Sequence, residues 1–367
     1  MKIFFILGGL RIGGYEILTA RMANYLEKEG YKIGIVSLSN ERAVMKLDLI
    51  DNKVKVYFTP RKNRFDVSAL FKLRKLLNKE KPDLIFSCSF YELLFAKIAV
   101  LVLRTRFKFL LAFHFTVPFT RKDIMISRVY SLFDRFSTAT PYIASHRSQP
   151  DFYIKRFHIG KGKFQVIHNG IDTRYFSPSK DKKFLKDGTM TLAHVASLKP
   201  LKDQITLLKA VVELNNRLDK WVLHVVGADV EGVLDDYKKI VEEKNIAGKV
   251  KFLGTVDSVK ELLDRSDLFI LTSRTEALPI SVIEAISMGV PAIVTNVGGN
   301  PDIISDEIEG FLVEPGDYTM IAEKILFLYN NPAILREMGK NARKKAVTQF
   351  DFKYMMEQYL KLFKGMV

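Results

Sequence analysis

The sequence predicts an α/β protein made of two doubly wound domains in series. Three observations carry this: the length, an alternation of apolar runs with amphipathic stretches, and a restart of that alternation past the midpoint. The 367 residues exceed what one ordinary core organises and suit two domains of roughly 150–200 residues. A hydrophobic content of 48% with mixed charge describes a soluble globular chain.

Lys2 to Leu7 reads as a strand, Tyr15 to Glu29 as a helix and Lys32 to Leu38 as a strand, with Gly30 at a helix C-cap position. Leu70 to Lys79 (helix), Asp83 to Phe86 (strand), Tyr91 to Leu103 (helix) and Phe107 to Phe113 (strand) continue the alternation. Strands alternating with helices of this length indicate parallel βαβ units, and nearly unbroken apolar strands fit a sheet covered on both faces. The pattern restarts after His168-Asn169-Gly170-Ile171-Asp172. Strands are expected at Thr191 to Val195, Trp221 to Val226, Lys251 to Leu253, Leu268 to Thr272 and Pro291 to Thr295. Helices are expected at Gln204 to Arg217, Asp235 to Lys244, Ser258 to Ser266, Ile280 to Met288 and Tyr318 to Asn330. The polar, lysine-rich stretch Ser177 to Gly188 marks the boundary. The expected division is 1–172, 173–349 and a C-terminal helix, 350–367, returning toward the first domain.

The charge is uneven. Residues 1–168 hold 30 Lys and Arg against 13 Asp and Glu, a balance of +17, which leaves −1 of the total +16 for the rest. That asymmetry directs the first domain toward an anionic partner. The single cysteine, Cys88, has no partner for a disulfide or a metal pair, so a reducing compartment is the simpler setting. The apolar start Met1 to Leu7 is short and runs into Gly8-Gly9, as a buried strand does and a signal peptide does not. Leu84 to Leu103 carries Glu92 and Lys97 in its interior, charges too costly for a membrane span.

The most informative stretch runs from Ser273 to Ala285 (SRTEALPISVIEA). It follows an apolar strand, and Pro279 stands where a helix would open. Ligands of open α/β sheets bind outside the carboxyl ends of the strands. Backbone amides around Ile280 to Val282 would be unpaired there and favour a diphosphate, with Leu278, Pro279, Ile280 and Ser281 lining the donor site. Glu276 precedes the helix and Glu284 lies within it, one carboxylate for sugar hydroxyls and one for a ribose. A solvated loop with two surface glutamates is the bland alternative. Against it, Lys202 follows another strand and can offer a point charge to the same phosphates. Gly298-Gly299 then follow a third strand, where a close backbone approach needs glycine.

With these residues in place, the chain resembles the retaining glycosyltransferases of family four over nearly its whole length. The resemblance rests on Glu276-x7-Glu284, Gly289-Val-Pro, Gly298-Gly299, Gly310-Phe-Leu-Val, Lys202, Asn169-Gly-Ile-Asp, Gly227, Gly254 and Gly13-Gly14-Tyr-Glu16. It implies a GT-B fold, two Rossmann-like domains facing across a cleft. It also implies that Glu276 holds the donor sugar, Glu284 the ribose and Lys202 the diphosphate, with the base near Phe252 to Val256. The chain departs from the family twice: Ser197 stands where an Arg of the phosphate-binding pair is usual, and Ala277 follows the first Glu in place of Gly.

In the first half, Gly13-Gly14 before a helix can approach a phosphate, or simply form a tight turn. His114 ends an apolar strand at its carboxyl edge, where the similar family places a His on the donor sugar; a structural role is the alternative. His194 and His224, flanked by apolar strand residues, read as structural. No histidine spacing or Asp-x-Asp pair supports a metal, and no cofactor is expected. Arg121, Arg128 and Arg135, together with Lys72, Lys75, Lys79 and the loop Arg61-Lys62-Asn63-Arg64, would form a basic surface. Solvated helix faces explain such residues by default, yet +17 suits an anionic leaflet or a lipid-diphosphate acceptor.

The expected activity is retaining transfer of a sugar from a nucleotide-diphosphate donor to a glycan or lipid-linked acceptor, for a bacterial surface polysaccharide. UDP is favoured over GDP because similar enzymes use it more often. The setting is cytoplasmic, peripheral on the inner face of the membrane. A sugar-nucleotide epimerase of the same fold would turn over donor without acceptor. A nucleic-acid-binding protein is the other alternative, but the aromatic-interleaved basic platform it would use is missing, and no nucleic-acid partner is expected. A dehydrogenase fits worse still, for no GxGxxG follows the first strand.

Overall fold

The computed structural model describes residues 1–10, 14–39, 49–63, 66–101, 107–113, 125, 140–157 and 163–366. They form two compact units, Met1–Ile167 with Leu360–Val367, and His168–Tyr359. The lysine-rich stretch 177–188 lies wholly in the second unit. There Lys182 Nζ donates to the carbonyls of Leu263, Asp264 and Ser266 at 2.9–3.1 Å, and Leu185 N–H donates to Asp267 at 2.7 Å.

The first unit holds a parallel sheet of seven strands: β1 (Lys2–Leu7), β2 (Lys32–Ser37), β3 (Lys55–Phe58), β4 (Leu84–Ser87), β5 (Lys108–Phe113), β6 (Tyr142–Ala144) and β7 (Phe164–Val166). Their order is β3-β2-β1-β4-β5-β6-β7. Its helices include Gly14–Lys28, Val67–Glu80, Phe90–Val100 and Gln149–Phe157. Ser89 caps the third of these by accepting from Glu92 N, and Asp66 caps the second. The core is aromatic: Phe113 stacks on Tyr153 with centroids 4.0 Å apart and meets Phe90 at 5.1 Å and Tyr142 at 5.8 Å. Lys97 is buried, and its ammonium donates to Thr140 Oγ1 at 2.8 Å.

The second unit repeats the plan with β8 (Met190–Val195), β9 (Trp221–Val226), β10 (Val250–Gly254), β11 (Leu268–Leu271), β12 (Ala292–Thr295) and β13 (Gly310–Val313). The order is β10-β9-β8-β11-β12-β13, all parallel. The strand order reverses between β8 and β11, the point at which open sheets bind ligands. Alternate residues of these strands enter two separate apolar clusters. Leu192, Leu268, Ile270 and Ile293 belong to one, Ala193, Phe269, Leu271 and Val294 to the other. With side chains alternating between faces, the sheet is therefore covered on both sides. Strand β13 at the sheet edge and helix Pro332–Gln349, which adds Leu335 and Met338 to one cluster and Ala342 and Ala346 to the other, are elements that periodicity does not predict.

The junction motif is explained by packing within the second unit. A Cβ on Gly170 would lie 2.9 Å from Asp351 O and from Phe352 Cα, so only glycine lets this segment lie against the start of helix Phe352–Gly365. Ile171 N–H donates to Phe350 O at 2.9 Å, and Phe352 N–H to Ile171 O at 2.8 Å.

Candidate active site

Strand β11 is followed by Thr272-Ser273, and the chain then turns toward helix Ile280–Ser287. Pro279 precedes that helix with extended backbone and no side-chain cap. Ile283 N–H donates to Pro279 O at 3.3 Å, the helical bond that opens this helix. The amides of Ile280, Ser281 and Val282 thus lack a capping side chain among the described residues, the arrangement that attracts an anion. Leu278 and Pro279 are buried while Ile280 and Ser281 are half-exposed.

Glu276 is buried at 8% exposure. Its Oε1 accepts from the Lys202 ammonium, a close ion pair, and from Ser273 Oγ at 2.6 Å. Lys202 ends a short 3₁₀ turn, Pro200–Lys202, beyond β8. The two strand-end loops are tied together by Thr272 Oγ1, which donates to Asp203 O at 2.9 Å and Lys202 O at 3.2 Å. Arg274 adds its backbone N–H to Leu201 O at 3.0 Å and its Nε to Asp203 Oδ2 at 3.1 Å. From β12, Thr295 Oγ1 donates to Ser273 O at 2.6 Å, and Asn300 Nδ2 donates to Thr295 O at 2.8 Å. Three strand ends are thereby locked into one polar lattice around Glu276.

Two glycines make the lattice possible. A Cβ on Gly298, at φ +54°, would stand 1.7 Å from Glu276 O. The glycine run after β12 therefore admits the backbone of the loop that carries the carboxylate. A Cβ on Gly227 would stand 1.9 Å from Ala196 O, which keeps the ends of β8 and β9 in contact. Gly254 closes β10 at φ +63° with open space beside it, and its carbonyl accepts from Gly227 N–H at 2.8 Å. Leu253 beside it is exposed.

Ala277 has no positive φ, so replacing the family's Gly imposes no backbone strain. Ser197 is half-exposed, and its carbonyl accepts from Gln204 Nε2 at 3.0 Å. Gln204 in turn meets His194 Nε2 at 3.3 Å, while His194 Nδ1 lies 2.9 Å from Ile270 O. Burial pushes the His194 pKa down to about 4, so the ring is neutral, donating from Nδ1 and accepting at Nε2. Glu284 is half-buried one turn into the helix. His114, Gly13 and the arginines at 121, 128 and 135 lie outside the described residues; Gly14 opens helix Gly14–Lys28.

Reading residues alone did not single out Ser273, Thr272, Thr295 or Gln204. A hydroxyl at the last position of an apolar strand was the available signal. Asn169 was likewise seen only as part of the junction motif; its amide donates to Leu278 O at 3.3 Å and steadies the turn before the helix.

Known families match both halves of the chain. The model described as Glycosyltransferase Family 4 matches residues 12–175, and that described as Glycosyl transferases group 1 matches residues 176–345. An Escherichia coli UDP-Gal:alpha-D-GlcNAc-diphosphoundecaprenol alpha-1,3-galactosyltransferase is 29% identical over 343 residues, covering 87% of this chain and 86% of the relative. A Campylobacter jejuni alpha-1,4-N-acetyl-D-galactosaminyltransferase acting on a diNAcBac-PP-undecaprenol-linked glycan is 27% identical over 99% of this chain and 98% of its own. Among solved structures, Anabaena HepE in complex with UDP superposes with a TM-score of 0.86 at 20% identity, covering 100% of both chains. No helix among the described residues is long and apolar enough to cross a membrane.

Proposed function

The chain belongs to the family four, group 1 glycosyltransferases of the α/β GT-B fold, and on that premise we propose that it is a retaining enzyme transferring a sugar from a UDP-sugar to a lipid-diphosphate-linked acceptor, in bacterial surface polysaccharide synthesis. The observation that carries this reading is the buried Glu276 carboxylate, held by Lys202 and Ser273 beside a helix start with uncapped amides.

In this reading the diphosphate lies on the amides of Ile280 to Val282, where the helix dipole favours an anion. Glu284 takes the ribose, and Glu276 takes hydroxyls of the donor sugar. Lys202, paired to Glu276, turns its remaining N–H donors to the phosphate. The anomeric carbon–oxygen bond breaks and its electron pair leaves with UDP. The acceptor oxygen bonds to that carbon on the same face, and its proton passes to the departing phosphate oxygen. No side-chain nucleophile is required; fixed donors stabilise the leaving charge. The base lies along the open edge at Leu253 and Gly254.

The acceptor reading draws on the relatives' lipid-diphosphate substrates and on the +17 of the first 168 residues. Helix Val67–Glu80 presents Val67, Phe71, Lys75 and Lys79 at four-residue spacing, with the two apolar side chains each 61% exposed and both lysines exposed. An apolar tip backed by lysines suits peripheral docking on an anionic leaflet. Vesicle sedimentation tests this: binding that rises with anionic lipid and falls with salt supports it, and equal binding to neutral vesicles refutes it.

The donor reading is tested by thermal shift against UDP- and GDP-sugars, followed by transfer assays. UDP-sugars should raise the midpoint in the native chain, and Glu284→Ala should lose that rise. An unchanged shift in the variant refutes the site, and conversion of the donor without added acceptor would point to an epimerase.

A further inference from the structure

Among the described residues, the proposed donor site is short of positive charge. Glu276 and Glu284 bring two carboxylates and Lys202 one ammonium, already engaged by Glu276. The uncapped helix start adds the equivalent of roughly half a charge. A leaving diphosphate is multiply anionic and needs more than this. Ser197 contributes a hydroxyl at best, its carbonyl being held by Gln204.

Arg274 stands two residues before Glu276, and its backbone N–H is bonded to Leu201 O, next to Lys202. Its side chain is 67% exposed, whereas its partner Asp203 is 5% exposed. Only Nε is used, in the 3.1 Å bond to Asp203 Oδ2; both terminal nitrogens have no partner among the described residues. Asp203 is itself fixed, with its carbonyl accepting from Thr272 and its backbone at φ +49°. A buried carboxylate thus aims a guanidinium whose two-pronged end is vacant. Lys199 shares the loop, but no side-chain bond among the described residues fixes its direction.

We propose that Arg274 is a further substrate-binding residue: its terminal nitrogens form a bidentate contact with the donor diphosphate, and Asp203 is the positioning residue that orients them. This inference rests on the donor-site reading above. Paired N–H donors match phosphate geometry, which a lysine ammonium cannot reproduce.

Calorimetric titration of the full chain with UDP and with uridine tests it. Arg274→Ala should weaken UDP about 10- to 100-fold while uridine affinity stays as in the native chain, because only phosphate contacts are lost. Arg274→Lys should recover part of the loss, and Asp203→Asn should weaken UDP in the same selective way. UDP affinity within twofold of native in Arg274→Ala overturns the proposal. So does a parallel fall in UDP and uridine, which marks a purely structural role. Lys202→Ala and Glu284→Ala are titrated alongside. If they lose UDP binding and Arg274→Ala does not, this inference alone fails; if none loses it, the donor site itself is misplaced.

Discussion

The two units share one plan, a parallel doubly wound sheet, and fill it with different chemistry. The first packs stacked aromatic rings behind its strands, around Phe113, Tyr142 and Tyr153. The second packs mainly aliphatic side chains on both faces, and the hydroxyls at or just past its central strand ends, Thr272, Ser273 and Thr295, bond across to Asp203, Glu276 and the Ser273 carbonyl. Apolar packing is non-directional and fixes a core without dictating where a carboxylate points. Hydrogen bonds are directional, and a fully bonded polar lattice specifies one arrangement. The strand ends at which Glu276 and Lys202 meet are those built from the directional material.

That contrast can be broken most sharply at Glu276. Glu276→Gln should lower turnover about 10³-fold, the scale of losing a preorganised electrostatic contact, while UDP binds at least as tightly because Lys202 is released from its carboxylate partner. Steady-state kinetics beside UDP titration checks this, and lost UDP binding would make Glu276 an organiser of Lys202 instead. The matching change in the aromatic unit is Phe113→Ala. It should cost about 3–5 kcal/mol of stability by opening a cavity, read from denaturant unfolding, with UDP affinity of the folded protein unchanged. A fall in UDP affinity would show that the two units are not energetically separate.

The second unit was the more legible in sequence because its strand ends are punctuated. Pro279, Gly289 and the Gly298-Gly299 pair each mark a place where backbone geometry is restricted, and apolar runs of four to six residues sit between them. The first unit hid β3, β6 and β7. Two of these have three residues, too few for any periodicity, and β3 is a half-exposed edge strand. The lattice around Glu276 was invisible for another reason. Its partners lie far apart in the chain, Thr272 from Asp203 and Thr295 from Ser273, and a lone hydroxyl carries no periodic signal. Gly298 in the sequence says that some backbone must come close; only the folded chain identifies it as Glu276's own.

The polar lattice should also be visible in pH dependence. The folded-state pKa of His194, about 4, lies below its ordinary 6.5 because burial disfavours the charged ring. The unfolded chain therefore takes up the proton first. The stabilisation is complete above pH ~6.5 and is lost as pH falls toward 4, by up to about 3 kcal/mol. His194→Gln should lower the thermal midpoint at pH 7.5 yet show a shallower fall between pH 7 and 5. Parallel curves for the two proteins would mean that this ring does not titrate on unfolding as described.

The smallest change tests the lattice most directly. Thr272 is fully buried, and its hydroxyl reaches the carbonyls of Asp203 and Lys202. Thr272→Val keeps the shape and removes the hydrogen bond, a loss of about 1–2 kcal/mol. If the hydroxyl merely adds stability, the thermal midpoint falls and turnover of the folded enzyme does not. If it sets the position of Lys202 against Glu276, turnover falls about 10-fold, since small misplacements of a positioned group are costly. Thr272→Ser, which keeps the hydroxyl and gives up a methyl, separates the two. It should restore turnover while leaving a packing deficit in stability. Equal turnover in the Val and Ser variants would reduce the tie between the β8 and β11 loops to ordinary packing, and the distinction between the two units would lose its functional meaning.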